Sequence, residues 1–164
     1  MKRQSLAPGL NQRVRFEYSR VDKFSMEINT NNFTGRDIFV PTILLVDLKA
    51  RVNYQIAKID HIWIFATEEL MKMNLHINDT ISFTARIMKY EKIDKNSNTH
   101  VMDIGFNYIH NIKLLSCEKN NRSINDHLLD AMYNDNFIIP GKFLEYIYRD
   151  ILPEKRHKYF KYNA

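Results

Sequence analysis

The sequence has few of the residues that build covalent or phosphate-binding sites. Cys117 is the only cysteine in the 164 residues, which excludes an intrachain disulfide framework and a thiolate cluster. A single thiol fits a reducing, cytoplasmic compartment. The four glycines are isolated, so the sequence contains neither a Gly-rich phosphate loop nor a Gly-x-Ser-x-Gly nucleophile elbow.

Long apolar segments are also missing. The longest apolar run, Val40 to Val46, contains Pro41 and Thr42 and falls far short of the roughly 18 residues that a membrane helix needs. The first ten residues include two basic residues without an apolar segment behind them, which is not typical of a signal peptide. We therefore expect a cytoplasmic protein that does not interact with membranes.

The titratable residues show no catalytic pattern. The histidines at 61, 76, 100, 110, 127 and 157 do not have metal-ligand spacing. Asp60 and His61 are neighbours on a predicted strand, so their side chains point to opposite faces and cannot form a dyad. Because His61 lies among apolar residues, a core or rim histidine is the favoured interpretation. We expect no enzyme activity, no cofactor and no metal.

The composition indicates a folded, basic protein. Hydrophobic residues make up 45% of the chain, enough for a core without covalent staples. Twenty-four lysines and arginines against 19 aspartates and glutamates give a net charge of +5. A positive balance of this kind makes polyanions plausible partners without proving them.

Alternating hydrophobicity predicts three strands in the first 65 residues. Val14, Phe16 and Tyr18 alternate with polar residues, and the pattern resumes from Phe24 to Ile28 after a bend or bulge near residues 19–22. The second and third strands are predicted over residues 38–49 and 54–65. Pro41 cannot donate a ladder hydrogen bond, so we expect it at an edge or bulge. Trp63 shares a predicted face with Ile59 and Phe65 and is therefore expected in the core.

A helix and two strands follow. Thr67 is a good N-cap for a short helix, with acidic residues in its first turn. The alternation from Ile81 to Met88 predicts a fourth strand, and that from Met102 to Leu114 a fifth. Five strands with a helix between the third and fourth have the order of the OB-fold, a five-stranded Greek-key barrel. We predict a mainly β protein with an OB-like barrel and C-terminal helices.

The chain divides into three predicted parts. Residues 1–11 form a mobile N-terminal arm, residues 12–117 the barrel, and residues 118–164 a helical appendage. Ser123 is predicted to cap a helix over residues 124–133, and a second helix begins at Pro140 and ends at Pro153. The basic, aromatic tail after Pro153 fits a phosphate backbone and a protein surface equally well. Self-association is expected through the arm or the C-terminal segment.

Basic and aromatic residues suggest a nucleic-acid interface. Proteins that bind single strands combine a cationic groove with aromatic rings on which bases stack, each worth about 1–3 kcal/mol. In an OB-fold this surface lies on strands two and three and the loops beside them. The candidate residues are Arg13, Arg15, Phe33, Arg36, Phe39, Lys58, Arg86, Lys89, Tyr90, Lys92, Lys95 and Tyr108.

Simpler roles compete with this interpretation. Phe39 and Tyr108 lie in predicted strands, where an aromatic residue is more often part of the core. Arg86 and Lys89 are typical of a solvated strand face. Phe33, in an Asn-rich loop, is the hardest of the set to explain as core.

Three segments carry a family resemblance. They are Asp60-His61-Ile62-Trp63, the run Asn78-Asp79-Thr80-Ile81-Ser82-Phe83-Thr84-Ala85-Arg86, and Tyr90-Glu91-Lys92. Over roughly residues 38–114 the chain resembles the OB-like single-stranded-DNA-binding proteins of phages and conjugative plasmids. The resemblance implies single-stranded DNA binding in a mobile genetic element, without a cofactor. A typical bacterial single-strand binder ends in an acidic tail, whereas this chain ends in a basic one.

Two functions follow as hypotheses. The first is non-enzymatic binding of single-stranded DNA or RNA through a basic groove and base stacking. The alternative is a protein-interaction module of a mobile element that binds or inhibits host machinery, using a strand edge near Pro41 and the C-terminal helices.

Overall fold

The computed structural model describes residues 2–30, 37–94 and 96–133. A 3₁₀ helix over Lys2–Gly9 comes first. The β-strands are β1 (Arg13–Thr30), β2 (Asp37–Val52), β3 (Gln55–Phe65), β4 (Thr80–Asp94) and β5 (Thr99–Ser116). The α-helices are α1 (Glu68–Lys72) and α2 (Ile124–Tyr133). No helix among these residues is both long enough and apolar enough to cross a membrane.

The five strands form one antiparallel sheet in the order β3-β2-β1-β4-β5. The prediction of a mainly β protein with a helix between the third and fourth strands is therefore confirmed. Closure into a barrel would require the two edge strands, β3 and β5, to pair with each other. The described residues contain no such pair, so the sheet is open in this part of the chain.

Pro41 is not at an edge of the sheet. It is buried in β2, which lies between β3 and β1. Its carbonyl oxygen accepts a hydrogen bond of 2.8 Å from the Ala66 amide, just beyond β3. Proline lacks only the donor, and its acceptor still joins the two strands at this end. The prediction of an exposed edge near Pro41 is thus wrong.

A bulge in β1 sets which of its residues face the core. Phe16 pairs with Phe83, but Ser19 pairs with Ile81, so two residues of β1 lie opposite one residue of β4. The buried positions accordingly shift from Val14 and Phe16 to Ser19 and Val21. The irregularity predicted near residues 19–22 lies slightly earlier, between Phe16 and Ser19.

Contacts divide the chain into two compact units, and the first is built from Met1–Lys23, Ile43–Ile64 and His76–Asn121. Its core includes the buried Phe16 and Phe83 rings, 4.9 Å apart between centroids, and the half-buried Phe106 ring lies 4.7 Å from Phe16. Leu6 of the 3₁₀ helix is fully buried as well. The predicted mobile arm is therefore folded over Lys2–Gly9, because Leu6, the one large apolar side chain of that segment, is packed away from water.

The second unit combines Phe24–Thr42, Phe65–Leu75 and Arg122–Ala164, as far as these residues are described. The two predicted caps are confirmed here, with Thr67 accepting from the Leu70 amide and Ser123 accepting from the Asp126 amide. The start of α2 is held to the segment that follows α1, because the Ile124 amide donates to the Leu75 carbonyl at 2.7 Å. The apolar side chains that the helices bury are Leu70, Met71, Ile124, Leu128, Leu129 and Ala131.

Strand β3 changes its buried face part-way along. Ala57 and Ile59 are buried, then Asp60 and His61 are both exposed, and the buried positions continue at even-numbered residues. Trp63 is consequently 43% exposed, and the Lys23 ammonium lies 5.8 Å from the centroid of its ring. The prediction of a core tryptophan is wrong, because the alternation of buried and exposed residues changes phase at Asp60 and His61.

Several predicted features lie outside the described residues. They are the loop that holds Phe33 and Arg36, Lys95 in the β4–β5 turn, the helix beginning at Pro140, and the basic tail. Phe39 belongs to β2 by its backbone, and its side chain is also outside the described set.

Candidate functional site

Three arginines share one face of the sheet, and we call Arg13, Arg15 and Arg86 the arginine face. Arg13 lies directly opposite Arg86 in the β1–β4 pairing, and Arg15 lies opposite Thr84. Residues two apart on a strand and residues paired across strands point to the same side. The pairing thus brings together three candidates that the sequence alone places in separate strands.

No carboxylate neutralises this face among the described residues. Arg15 donates only to neutral acceptors, namely the Ser82 hydroxyl at 2.7 Å, the Thr84 hydroxyl at 3.1 Å and the Asn111 carbonyl at 2.6 Å. Arg13 and Arg86 are exposed and have no hydrogen bond or ion pair with another described residue. The arginine face therefore carries three positive charges without a counter-ion in this part of the chain.

The nearest acidic residue along β1 is already paired. The Glu17 carboxylate accepts from the Arg51 guanidinium at 3.4 Å, and both side chains are largely exposed. Exposed ion pairs of this kind contribute only about 0–1 kcal/mol to stability. The pair nevertheless means that the Glu17 carboxylate is bound to Arg51 and not to the arginine face.

An exposed ring and a further cation lie on the neighbouring strand. Asn107 and His110 of β5 pair with Arg86 and Thr84, and Tyr108 lies in the bulge between them with a φ of 56°. The Tyr108 side chain is 65% exposed, so it is not a core residue. Lys113 is exposed on the same strand, opposite Ser82. Exposed cations and an exposed ring, the groups that phosphate contact and base stacking use, thus lie on adjacent strands.

Two other candidates belong instead to a cluster around a buried carboxylate, which we call the Asp103 cluster. Asp103 is only 2% exposed, and it accepts from the Lys92 ammonium at 2.9 Å and from the Tyr90 hydroxyl at 3.3 Å. Arg3 lies 3.5 Å from the same carboxylate and donates to the Tyr90 hydroxyl at 2.6 Å. Tyr90 and Lys92 are thus engaged within the protein.

Opposing effects act on the pKa values in this cluster. Burial raises the pKa of Asp103, but the hydrogen bonds from Lys92 and from the Ile104 amide, with the charges of Lys92 and Arg3, outweigh it. The net pKa lies below its ordinary value. The hydrogen bond to Asp103, followed by the attraction of its charge, raises the pKa of Lys92. Both groups are therefore held in their charged forms.

The remaining described candidates lie elsewhere. Lys58 lines a shallow depression of about 350 Å³ that also contains Lys49, Asp47 and Asp60, so its positive charges are matched by negative ones. Lys89 is exposed, but it is three residues from Arg86 on β4 and so points to the opposite face. The structure brings together three of the predicted residues, Arg13, Arg15 and Arg86, and places Tyr108 on the adjacent strand.

A second group was not anticipated from the sequence, and we call His76, Asp79 and Cys117 the Asp79 junction. Asp79 is 1% exposed, and its two carboxylate oxygens accept from the Glu118 amide at 2.6 Å and the His76 amide at 2.8 Å. One potential ligand atom from each of the three side chains lies within 4.8 Å of the others. Partial removal of the thiol from water, followed by the negative charge of Asp79, raises the pKa of Cys117, although the residue is exposed.

Only part of the Asp79 junction had a sequence signal. His76 and Asp79 are three residues apart, a spacing that allows two ligands in one turn. Cys117 follows β5 and reaches the turn through the pairing of β4 with β5. Histidine spacing alone could not reveal a third ligand supplied by tertiary structure.

Comparisons with known protein families, with curated proteins and with solved structures gave no match. The resemblance to single-stranded-DNA-binding proteins therefore depends on the segments quoted above. It stays a prediction, as does an origin in a mobile genetic element.

Proposed function

We propose that this protein binds single-stranded nucleic acid, with phosphates at the arginine face and a base stacked on Tyr108. The observation that supports it is the group of three arginines that lack carboxylate partners among the described residues. Binding needs no cofactor and no catalytic group, and DNA is the expected ligand.

Electrostatics favours an anion at this place. Like charges directly opposite each other on neighbouring strands are destabilising, and Arg13 and Arg86 are such a pair. A phosphate between them would relieve the repulsion and could accept two parallel hydrogen bonds from either guanidinium. Arg15 is already oriented by its three neutral acceptors, which reduces the entropy that it loses on binding.

The same surface predicts little sequence preference. Stacking on Tyr108 is available to every base, because every base has a π-face. Phosphate contacts fix the position of the strand but do not distinguish one base from another. We therefore expect affinity to depend on length and salt much more than on sequence.

The test is fluorescence anisotropy with labelled DNA and RNA oligonucleotides at several salt concentrations. The double variant Arg13→Ala, Arg86→Ala should bind at least about tenfold more weakly. The salt slope, which is the steepness with which the logarithm of the binding constant falls with the logarithm of the salt concentration, should decrease by about 1.4, or about 0.7 for each lost phosphate contact. Tyr108→Ala should weaken binding without changing the salt slope, and Tyr108→Phe should restore it.

The matched control is the double variant Lys58→Ala, Lys89→Ala, which removes the same charge from positions away from the arginine face. It should keep nearly all of the affinity. Absence of binding by the native protein at low salt would reject the proposal. Equal losses in the two double variants would show a non-specific effect of net charge rather than a site.

We infer an OB-like barrel from the five antiparallel strands and from the position of α1 between β3 and β4. The described β3 and β5 do not pair with each other, so the proposed barrel is a partly open one. Self-association is proposed through the C-terminal segment rather than the N-terminal arm, because Leu6 in that arm is buried within its own chain.

Of the two contact surfaces that the protein-interaction alternative predicted, one is not exposed in the structure. The strand edge expected near Pro41 is interior to the sheet, and the second predicted C-terminal helix lies outside the described residues. A partner that co-purifies after nuclease treatment, together with no oligonucleotide affinity, would replace nucleic-acid binding with this alternative.

A further inference from the structure

We propose that the Asp79 junction is a zinc site, with His76, Asp79 and Cys117 as its protein ligands. Zinc bonds of about 2.1 Å to nitrogen or oxygen and about 2.3 Å to sulfur place the ligand atoms of a tetrahedron about 3.4–3.6 Å apart. His76 Nδ1 is 3.6 Å from Asp79 Oδ2, and all three ligand atoms lie within 4.8 Å of one another. The widest pair must therefore approach by little more than 1 Å, which rotation of the exposed Cys117 side chain can supply.

The His76 side chain has a buried nitrogen atom to which a metal ion could bind. Its Nδ1 atom is buried and has no hydrogen-bond partner among the described residues. The contact of 3.6 Å to Asp79 is too long for a hydrogen bond. A buried polar atom without a partner is unfavourable, and imidazole nitrogen is among the commonest zinc ligands.

Asp79 holds the backbones of the other two ligands in place. One of its oxygens accepts from the amide of His76 itself, and the other accepts from the amide of Glu118, the residue after Cys117. A carboxylate oxygen has two lone pairs, so each can keep its amide bond and still bind a metal ion. The amide bonds orient the carboxylate in the way that outer-shell hydrogen bonds orient metal ligands generally.

The ligand types select the metal. One imidazole, one carboxylate and one thiolate supply two negative charges, which match a dication. Zinc accepts nitrogen, oxygen and sulfur ligands together, whereas Mg²⁺ and Ca²⁺ prefer oxygen alone. Zinc binding displaces the thiol proton of Cys117 to solvent as the Zn–S bond forms. Three protein ligands leave a fourth position for water or another ligand.

The test uses Co²⁺ as a spectroscopic substitute for zinc in the full-length protein without a tag. Wild-type protein should show saturable visible absorption of tetrahedral Co²⁺ with a sulfur-to-cobalt charge-transfer band, and Zn²⁺ should displace it while Mg²⁺ should not. Cys117→Ser should remove the charge-transfer band. His76→Gln should weaken Zn²⁺ binding by about tenfold or more, since even outer-shell changes cost 10–100-fold.

The matched control is His100→Gln, which removes an exposed histidine that pairs with Glu91 outside the junction. It should bind both metals as the wild type does. Zn²⁺ should also raise the melting temperature of the wild type and of this control, but not that of Cys117→Ser. Circular dichroism checks that each variant is folded. Because Cys117 is exposed, its replacement by serine is not expected to disturb the fold.

Two results would overturn the proposal. One is the absence of saturable Co²⁺ or Zn²⁺ binding to the folded wild type. The other is binding that neither Cys117→Ser nor His76→Gln changes, which would place the metal elsewhere. Nucleic-acid binding is measured separately, so failure of either proposal leaves the other to be decided by its own experiment.

Discussion

At the scale of single residues, Asp103 shows how a buried charge is tolerated. Its carboxylate is 2% exposed, yet a lysine, an arginine and a tyrosine hydroxyl surround it. Lys92 is about half exposed, so water also screens the pair and limits what the contact contributes. The cluster ties the 3₁₀ helix, through Arg3, to strands β4 and β5.

The lowered pKa of Asp103 gives a pH-dependent prediction. Between the folded-state pKa and the ordinary value of 3.8, the unfolded chain binds more protons than the folded protein. The stabilisation from Asp103 is therefore complete above 3.8 and is lost as pH falls through the lower, folded-state pKa. Asp103→Asn should reduce the free energy of unfolding at neutral pH by about 1.5–3 kcal/mol, and by less in acid.

Urea unfolding at neutral and acid pH measures this effect. Asp22→Asn is the control, because Asp22 forms a comparable pair with Arg20 at 3.4 Å in a more exposed setting. That variant should change the free energy of unfolding by less than about 1 kcal/mol at either pH. A pH-independent loss in Asp103→Asn would contradict the electrostatic explanation and indicate a packing defect.

At the scale of secondary-structure elements, α2 depends on a reciprocal cap. The Ser123 hydroxyl accepts from the Asp126 amide at 3.1 Å, and the Ser123 amide donates to the Asp126 carboxylate at 3.4 Å. Both partners lie within four consecutive residues, which is why this helix start could be predicted from sequence. The cap positions Ile124 for its contact with Leu75 in the same unit.

Removal of this cap should have a measurable effect. Ser123→Ala should lower the free energy of unfolding by about 1 kcal/mol, because the Asp126 amide loses its partner. Ser123→Thr keeps the hydroxyl and should recover most of the loss. Ser97→Ala, in the exposed β4–β5 turn, serves as the control for loss of a serine hydroxyl. Equal urea midpoints for all variants would show that the cap does not stabilise the protein.

At the scale of the molecule, aromatic residues separate into core and surface. The Phe16, Phe83 and Phe106 rings pack against one another, with centroids 4.7–5.5 Å apart. Trp63 is instead partly exposed beside Lys23. Phe83→Ala should lower the free energy of unfolding by about 3–5 kcal/mol, whereas Trp63→Ala, which removes a ring that is only about half buried, should cost about 1–2 kcal/mol.

Trp63 also reports its own environment, because it is the only tryptophan in the chain. Its emission should be typical of a partly exposed indole, and iodide should quench it in the folded protein. Urea denaturation compares the stability of the two alanine variants. A blue-shifted, unquenched emission with a large loss in Trp63→Ala would place this residue in the core after all.

Much of the fold could be predicted from local sequence patterns. The alternation in β1 and β4, the caps at Thr67 and Ser123, and the position of α1 between strands were all predicted from neighbouring residues. The predicted site residues do not all lie together in the structure. Arg13, Arg15 and Arg86 came together, whereas Lys58 and Lys89 lie apart and Tyr90 and Lys92 are bonded within the protein.

The sequence by itself determined the strands, the helix starts and the positive charge, because these depend on residues within a few positions of one another. The tertiary structure decided which strands pair, and with that which charges meet. The register of β1 against β4 set Arg13 opposite Arg86, and the packing of β5 carried Cys117 to His76 and Asp79. Such contacts join residues far apart in the chain, so their geometry follows from long-range pairing and burial rather than from any local pattern.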